Sequence, residues 1–176
     1  MGILAQARAI GLIGGGIRKI ISGGQTGADR AALDIGIACN VPHGGWCPKG
    51  RRAEDGTIDT RYELTETPSP DSSQRTEWNV RDSDGTAIIS MGRELRGGSA
   101  LTAQYAGSHG KPWLHISRQV DGDRGAQRLD DFVRTCNIRF LNVAGPRQSE
   151  EPEVGTYVKA VMEEYLMRVG RCAGSS

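Results

Sequence analysis

The stretch Ile17-Arg-Lys-Ile-Ile-Ser-Gly-Gly-Gln-Thr-Gly-Ala-Asp-Arg30 decides the fold. Ile17 to Ser22 is short and rich in isoleucine, the composition of a strand. Gly23-Gly24 stops it. Thr26-Gly-Ala-Asp29 has the spacing of a capping box, which predicts that a helix opens there. That helix runs to about Cys39, with Ala28, Ala31, Ala32, Ile35 and Ala38 available for packing. Small residues let a helix sit close to a sheet. A strand passing into a helix through a glycine turn is the first half of a βαβ unit.

Outward from this unit the pattern repeats. His43 to Cys47 reads as a short strand. Thr86-Ala-Ile-Ile-Ser-Met91 is the strongest strand, short, apolar and bounded by glycine. Ser99 to His109 follows as a helix, and Trp113-Leu-His-Ile116 as a strand after Lys111-Pro112. Gly125 to Thr135 is helical and Ile138 to Ala144 is a strand. Val154, Tyr157, Val158, Val161, Met162, Tyr165 and Leu166 fall at helical spacing and give the last helix. Gln74 to Asp82 reads as a short helix. Alternating strands and helices predict an α/β domain, with a mainly parallel sheet covered by helices on both faces. Strand order is left open. Residues 1–16 are expected to be a loose extension, 17–168 the domain, and 169–176 a frayed tail.

Composition narrows the function. The chain has 176 residues, suited to one domain. It has 25 glycines, about twice the usual share, with no period. Many tight turns and close backbone approaches follow. Net charge is +1, which argues against a nucleic-acid binder that works through a bulk basic field. No apolar run reaches a membrane-spanning length. The four cysteines form no C-x-x-C pair, and are read as reduced thiols of a cytoplasmic protein. Cys39, His43 and Cys47 are spaced for a zinc site, but two glycines and a proline interrupt them. No metal ligand set is assigned.

In open α/β sheets, ligands sit beyond the carboxyl ends of the strands. Three strand ends deliver glycine with polar groups: Gly23 to Arg30, Gly92 to Ser99 and Gly145 to Ser149. Two of them carry a Gly-Gly pair at the opening of a helix, where bare N–H groups and the helix dipole favour an anion. The candidate ligand-binding residues are therefore Gly23, Gly24, Gln25, Thr26, Gly27, Asp29 and Arg30 from the first turn. Gly97, Gly98, Ser99 and Thr102 come from the second, with Arg96 and Arg147 as charge partners. Gly24 is expected to bare its backbone to the ligand. The long stretch Pro48 to Ser73 reads as irregular, a lid or binding loop. Lys49, Arg51 and Arg52 extend the basic set there, near Glu54 and Asp55. The turns carry neither a Walker A motif nor a G-x-G-x-x-G fingerprint. Asp82-Ser-Asp84-Gly85 reads as a turn at the opposite, amino edge. His109 reads as a helix-end cation and His115 as a strand residue, with no partner for a Ser or Cys triad. No nucleophile elbow is seen.

Residues 20–34, Ile-Ile-Ser-Gly-Gly-Gln-Thr-Gly-Ala-Asp-Arg-Ala-Ala-Leu-Asp, resemble the signature of the "putative molybdenum carrier" family. This is the circularly permuted YpsA-like branch of the SLOG superfamily. Pro48 to Gly56, Tyr62 to Pro68, Arg75 to Thr86, Gly97 to Thr102 and Asn142 to Arg147 resemble it too. The resemblance implies a Rossmann-like three-layer fold, a homo-oligomer (dimer or tetramer) and a ligand at the glycine-rich strand ends. It implies molybdenum cofactor or molybdate as that ligand, or else a nucleotide-like or phosphate ligand. The wider superfamily contains nucleotide-signal sensors and phosphoribohydrolases with a Gly-Gly-x-Gly-Thr-x-x-Glu motif. Placing Gly97-Gly98 on that motif puts Gln104 at the catalytic carboxylate, and glutamine cannot ionise. The expectation is a binding protein for an anionic small molecule. The alternatives are a nucleotide-processing enzyme and a nucleotide-signal sensor.

Overall fold

The computed structural model describes residues 16–173, so the expected extension lies almost wholly outside the described residues. Strands β1 (Lys19–Ile21), β2 (His43–Cys47), β5 (Leu64–Glu66), β6 (Gly85–Ser90), β7 (Trp113–Ser117) and β8 (Phe140–Ala144) form one sheet. Its order is β5-β2-β1-β8-β6-β7, and every pairing in it is parallel. A separate hairpin pairs β3 (Arg52–Ala53) with β4 (Gly56–Thr57).

Side chains alternate along the central strands. Ala87, Ile89, Ile116, Leu141 and Val143 enter the main hydrophobic core. They pack under helices α1 (Ala28–Ala38), α5 (Gly125–Thr135) and α6 (Val154–Arg168), with the short helix α4 (Arg118–Asp121) following β7. The intervening residues Thr86, Ser90 and Asn142 are buried on the other face. Helices α2 (Ser72–Arg81) and α3 (Gly97–Ser108) pack against each other and on that face, α2 over β2 and α3 over β6. This is the expected three-layer α/β fold. Its second face mixes polar and apolar groups: Ile88, Val80 and Ala106 are fully buried there, Asn142 Nδ2 donates to Thr86 Oγ1, and Asn79 bonds the backbone of Trp46 through both ends of its amide.

Three expectations need correction. The stretch 48–73 is not irregular. It contains the β3–β4 hairpin and contributes β5, a sixth strand, at the sheet edge. Ile58 and Tyr62 anchor it in a second buried cluster with Leu33 and Cys47. The Arg51 guanidinium knits it together by donating to the carbonyls of Ile58, Asp59, Tyr62 and Leu64. Second, the capping box does not form: Gly27 is the N-cap of α1, with no side-chain cap bond. Third, Cys39 and Cys172 are joined in a disulfide, with Cα atoms 4.9 Å apart. They meet because α1 and α6 pack side by side, so the end of α1 lies under the segment that follows α6. Val169 and Cys172 both pack on the main core. Cys47 and Cys136 remain free thiols. Among the described residues no helix is long and apolar enough to cross a membrane, and no cluster could hold a metal ion.

Candidate functional site at the carboxyl edge of the sheet

The ends of β1, β6 and β8 converge. Gln25, Asp29, Gly98, Ser99, Thr102 and Arg147 line one small pocket, so both Gly-Gly turns lie on one edge. The two turns differ sharply in how open they are.

At the first turn the positions in front of the glycines are filled by protein, although Thr26, Gly27 and Arg30 border a separate space of about 260 Å³. The N–H of Ala28, at the start of α1, donates to Pro146 O at 3.2 Å. Gly27 has φ +76°, and a Cβ on it would stand 2.6 Å from Pro146 O and 2.7 Å from Gln148 N. The turn Gly145–Ser149 therefore rests directly on this helix start. Gly24 also has positive φ, +79°, but its missing side chain faces apolar groups. A Cβ there would meet Leu64 Cδ1 at 2.5 Å and Ile58 Cδ1 at 3.1 Å. Gly24 thus accommodates the second hydrophobic cluster, which corrects the expectation that it opens toward a ligand. At Gly23 a Cβ would overlap the Arg75 guanidinium.

The polar groups of this turn are also engaged. Gln25 Oε1 accepts from the N–H groups of Thr26 and Glu54, both at 3.0 Å. The Thr26 hydroxyl donates to Glu54 and accepts from the Gln148 N–H. Ser149 donates to the same carboxylate through its N–H and its hydroxyl. These bonds hold Glu54 ionised to lower pH than usual, those from Ser149 first and from Thr26 second. Arg30 pairs with Asp55, which holds the Asp55 carboxyl below its ordinary range, and donates to Gly24 O. The β3–β4 hairpin is thereby clamped over the turn. Asp29 is buried, accepts from Gln25 N, and pairs with Arg75 at 3.0 Å. Burial pushes its carboxyl up, against the opposing pull of Arg75.

The second turn is open. A cleft of about 750 Å³ lies between the ends of β6 and β8 and the start of α3. Gly97 has φ +48°, and a Cβ on Gly98 would touch nothing within 4 Å. α3 has no side-chain cap. Arg96 and Gly97 line the cleft, and Arg96 is 86% exposed beside Glu94. Arg147 is partly exposed, 3.7 Å from Glu150. Lys49 and Arg52 are exposed and lie outside the residues that line the cleft. Arg51, spent on four carbonyls, is a structural residue of the loop.

The cleft also contains groups that the sequence reading passed over. Met91 N–H donates to Glu151 Oε2 at 2.6 Å and Gly92 N–H to Oε1 at 3.3 Å. This pair of backbone donors at the end of β6 already holds a carboxylate. Ser90 Oγ lies 2.7 Å from His115 Nε2, which corrects the reading of His115 as a residue without a serine partner. The register pairs Ile88 with His115 and Ser90 with Ser117, so Ser90 and His115 share one face diagonally. Spacing within one segment could not reveal a contact made across two strands. Arg75 was visible only as part of the family-like segment 75–86.

The family profile described as "Circularly permutated YpsA SLOG family" matches residues 20–166. A crystal structure of a "Putative molybdenum carrier protein" from Syntrophus aciditrophicus SB, at 1.45 Å resolution, is 49% identical with a TM-score of 0.83. The match covers 85% of this chain and 95% of that one. No functionally curated protein matches.

Proposed function

The chain belongs to the circularly permutated YpsA SLOG family, and from that premise we propose that it binds a phosphorylated or oxyanionic small molecule in the β6–β8 cleft. The observation that carries this reading is the open start of α3. Gly97 and Gly98 present an uncapped helix N-terminus with no side chain in front of Gly98. An anion there meets unpaired N–H groups and the positive end of the helix dipole. Ser99 stands on the first turn of that helix and Thr102 on the second, its hydroxyl donating to Gly98 O at 2.8 Å, and Arg96 and Arg147 border the site. From the first turn, Gln25 and Asp29 line a smaller pocket with Gly98, Ser99 and Thr102, while the glycines of that turn pack against Arg75, against Ile58 and Leu64, and against the Gly145–Ser149 turn.

The relative's name makes molybdenum cofactor or molybdate the leading cargo. The donors suit its oxygens: backbone N–H groups, hydroxyls and guanidiniums favour phosphate and oxo groups. The free thiols, Cys47 and Cys136, are not among the residues lining the cleft, so the reading gives sulfur no part in holding the cargo. A nucleotide or its phosphorylated derivative would use the same donors. Glycosidic hydrolysis is disfavoured, since Gln104 on the exposed side of α3 offers no carboxylate.

Native mass spectrometry of the purified chain tests the reading. A retained species carrying phosphate or molybdenum, lost from the Gly98→Val variant, is the expected result. A bare chain that also takes up neither molybdate nor nucleoside monophosphates on addition contradicts it.

A further inference from the structure

Anion binding at α3 leaves Ser90 and His115 without a task. Ser90 ends β6, is only 2% exposed, and still lines the cleft. Its Oγ has two partners in reach, Gly92 O at 2.9 Å and His115 Nε2 at 2.7 Å. The N–H of the next residue, Met91, and that of Gly92 converge on the Glu151 carboxylate. A hydroxyl at the carboxyl end of a parallel strand, an imidazole in contact with it, and the following N–H in an anion seat together make an acyl-transfer constellation. Glu151 shows that the seat accepts an oxyanion. Burial holds the His115 ring below its usual range, so the imidazole is neutral and able to accept a proton.

We propose that Ser90 is a nucleophile and His115 its general base, acting on a carboxylic ester whose remote anionic group is held at the start of α3. This rests on the binding reading above. The Ser90 proton passes to His115 Nε2 as Oγ bonds the carbonyl carbon. The carbonyl oxygen becomes an oxyanion in the Met91 and Gly92 seat, after Glu151 withdraws. The same proton then moves to the alkoxide oxygen as the ester C–O bond breaks, and the alcohol leaves. Water loses a proton to Nε2 and attacks the acyl carbon. Oγ departs and recovers that proton, and the carboxylic acid leaves, giving its remaining proton to solvent to become a carboxylate. Glu151 returns to the place that this product vacates.

A fluorophosphonate probe tests the proposal, because an activated serine displaces its fluoride and keeps the phosphonyl group. Intact-mass measurement with peptide mapping of the wild-type chain should place one label on Ser90. Labelling should vanish in Ser90→Ala, and slow by about 100-fold or more in His115→Gln. It should quicken in Glu151→Ala, where the seat is vacant. The proposal is overturned if neither the wild type nor a folded Glu151→Ala variant is labelled. It is equally overturned if the label maps elsewhere, or if His115→Gln reacts at the wild-type rate. Peptide mapping needs no variant, so a Ser90→Ala chain that fails to fold leaves the test intact. Inorganic phosphate titrated into the wild type separates the two readings. Phosphate binding without labelling sinks only the hydrolase, and labelling without phosphate binding sinks only the anion seat.

Discussion

Gly24→Ala separates the two glycine turns. A Cβ at Gly24 would lie 2.5 Å from Leu64 Cδ1 and 3.1 Å from Ile58 Cδ1, on a backbone with φ +79°. The conformational strain costs about 1–3 kcal/mol. Overpacking against the second hydrophobic cluster adds about 1–3 kcal/mol. The total, about 2–6 kcal/mol, is a large part of the roughly 5–15 kcal/mol that holds a domain. A chain of this size loses roughly 2–4 °C of melting temperature per kcal/mol. The midpoint should therefore fall by at least about 4 °C. Phosphate affinity of the folded fraction should stay at the wild-type value, because the added methyl faces Leu64 and not the cleft. Thermal melts followed by scanning calorimetry, beside phosphate titrations at a temperature where the variant is folded, give both numbers. An unchanged melt with lost phosphate binding would refute the assignment of Gly24 to packing and restore the first turn as the anion seat.

Three further outcomes follow from the same geometry. Reduction of Cys39–Cys172, or Cys172→Ser, opens a closure spanning 133 residues; it should cost about 2–4 kcal/mol and lower the melt measurably, with no effect of reductant on the Cys172→Ser chain. Glu54 and Asp55 have lowered folded-state pKa values, so the stability they contribute is fully present above the ordinary 4.5 and 3.8. That contribution is lost as pH falls through the folded values, and melts at descending pH should show a loss that Glu54→Gln lacks. Asp29 has the opposite sign: its raised pKa means stability is lost as pH rises through the folded value. Arg75→Met, which removes the compensating charge, should steepen that loss in melts taken at rising pH.

Much of this was legible in the chain. Apolar runs bounded by glycine located β1, β6 and β8, because a buried parallel strand must be short and apolar. The periodicity from Val154 to Leu166 located α6. The shared edge of the two Gly-Gly turns followed from parallel topology alone. β5 was not legible: Leu64-Thr-Glu66 is three residues with one apolar side chain, and pairing with β2 makes it a strand. The Cys39–Cys172 bond depends on helix packing that spacing does not encode. The reading of Gly24 failed for a related reason. A glycine with positive φ says that a side chain is unwelcome, but not whether a ligand or Leu64 excludes it. Ser90 and His115 lie 25 positions apart, and only strand register brings them together.

The central claim is that the anion seat is the open start of α3. Calorimetric titration of inorganic phosphate into the wild type and into Gly98→Val tests it most directly. At Gly98 no neighbour lies within 4 Å of an added Cβ, and its φ lies outside the positive range, so the valine strains no contact of the fold. The account predicts a saturable heat of binding in the wild type and none in Gly98→Val, with closely similar melts. Equal phosphate affinity in the two folded proteins would contradict it.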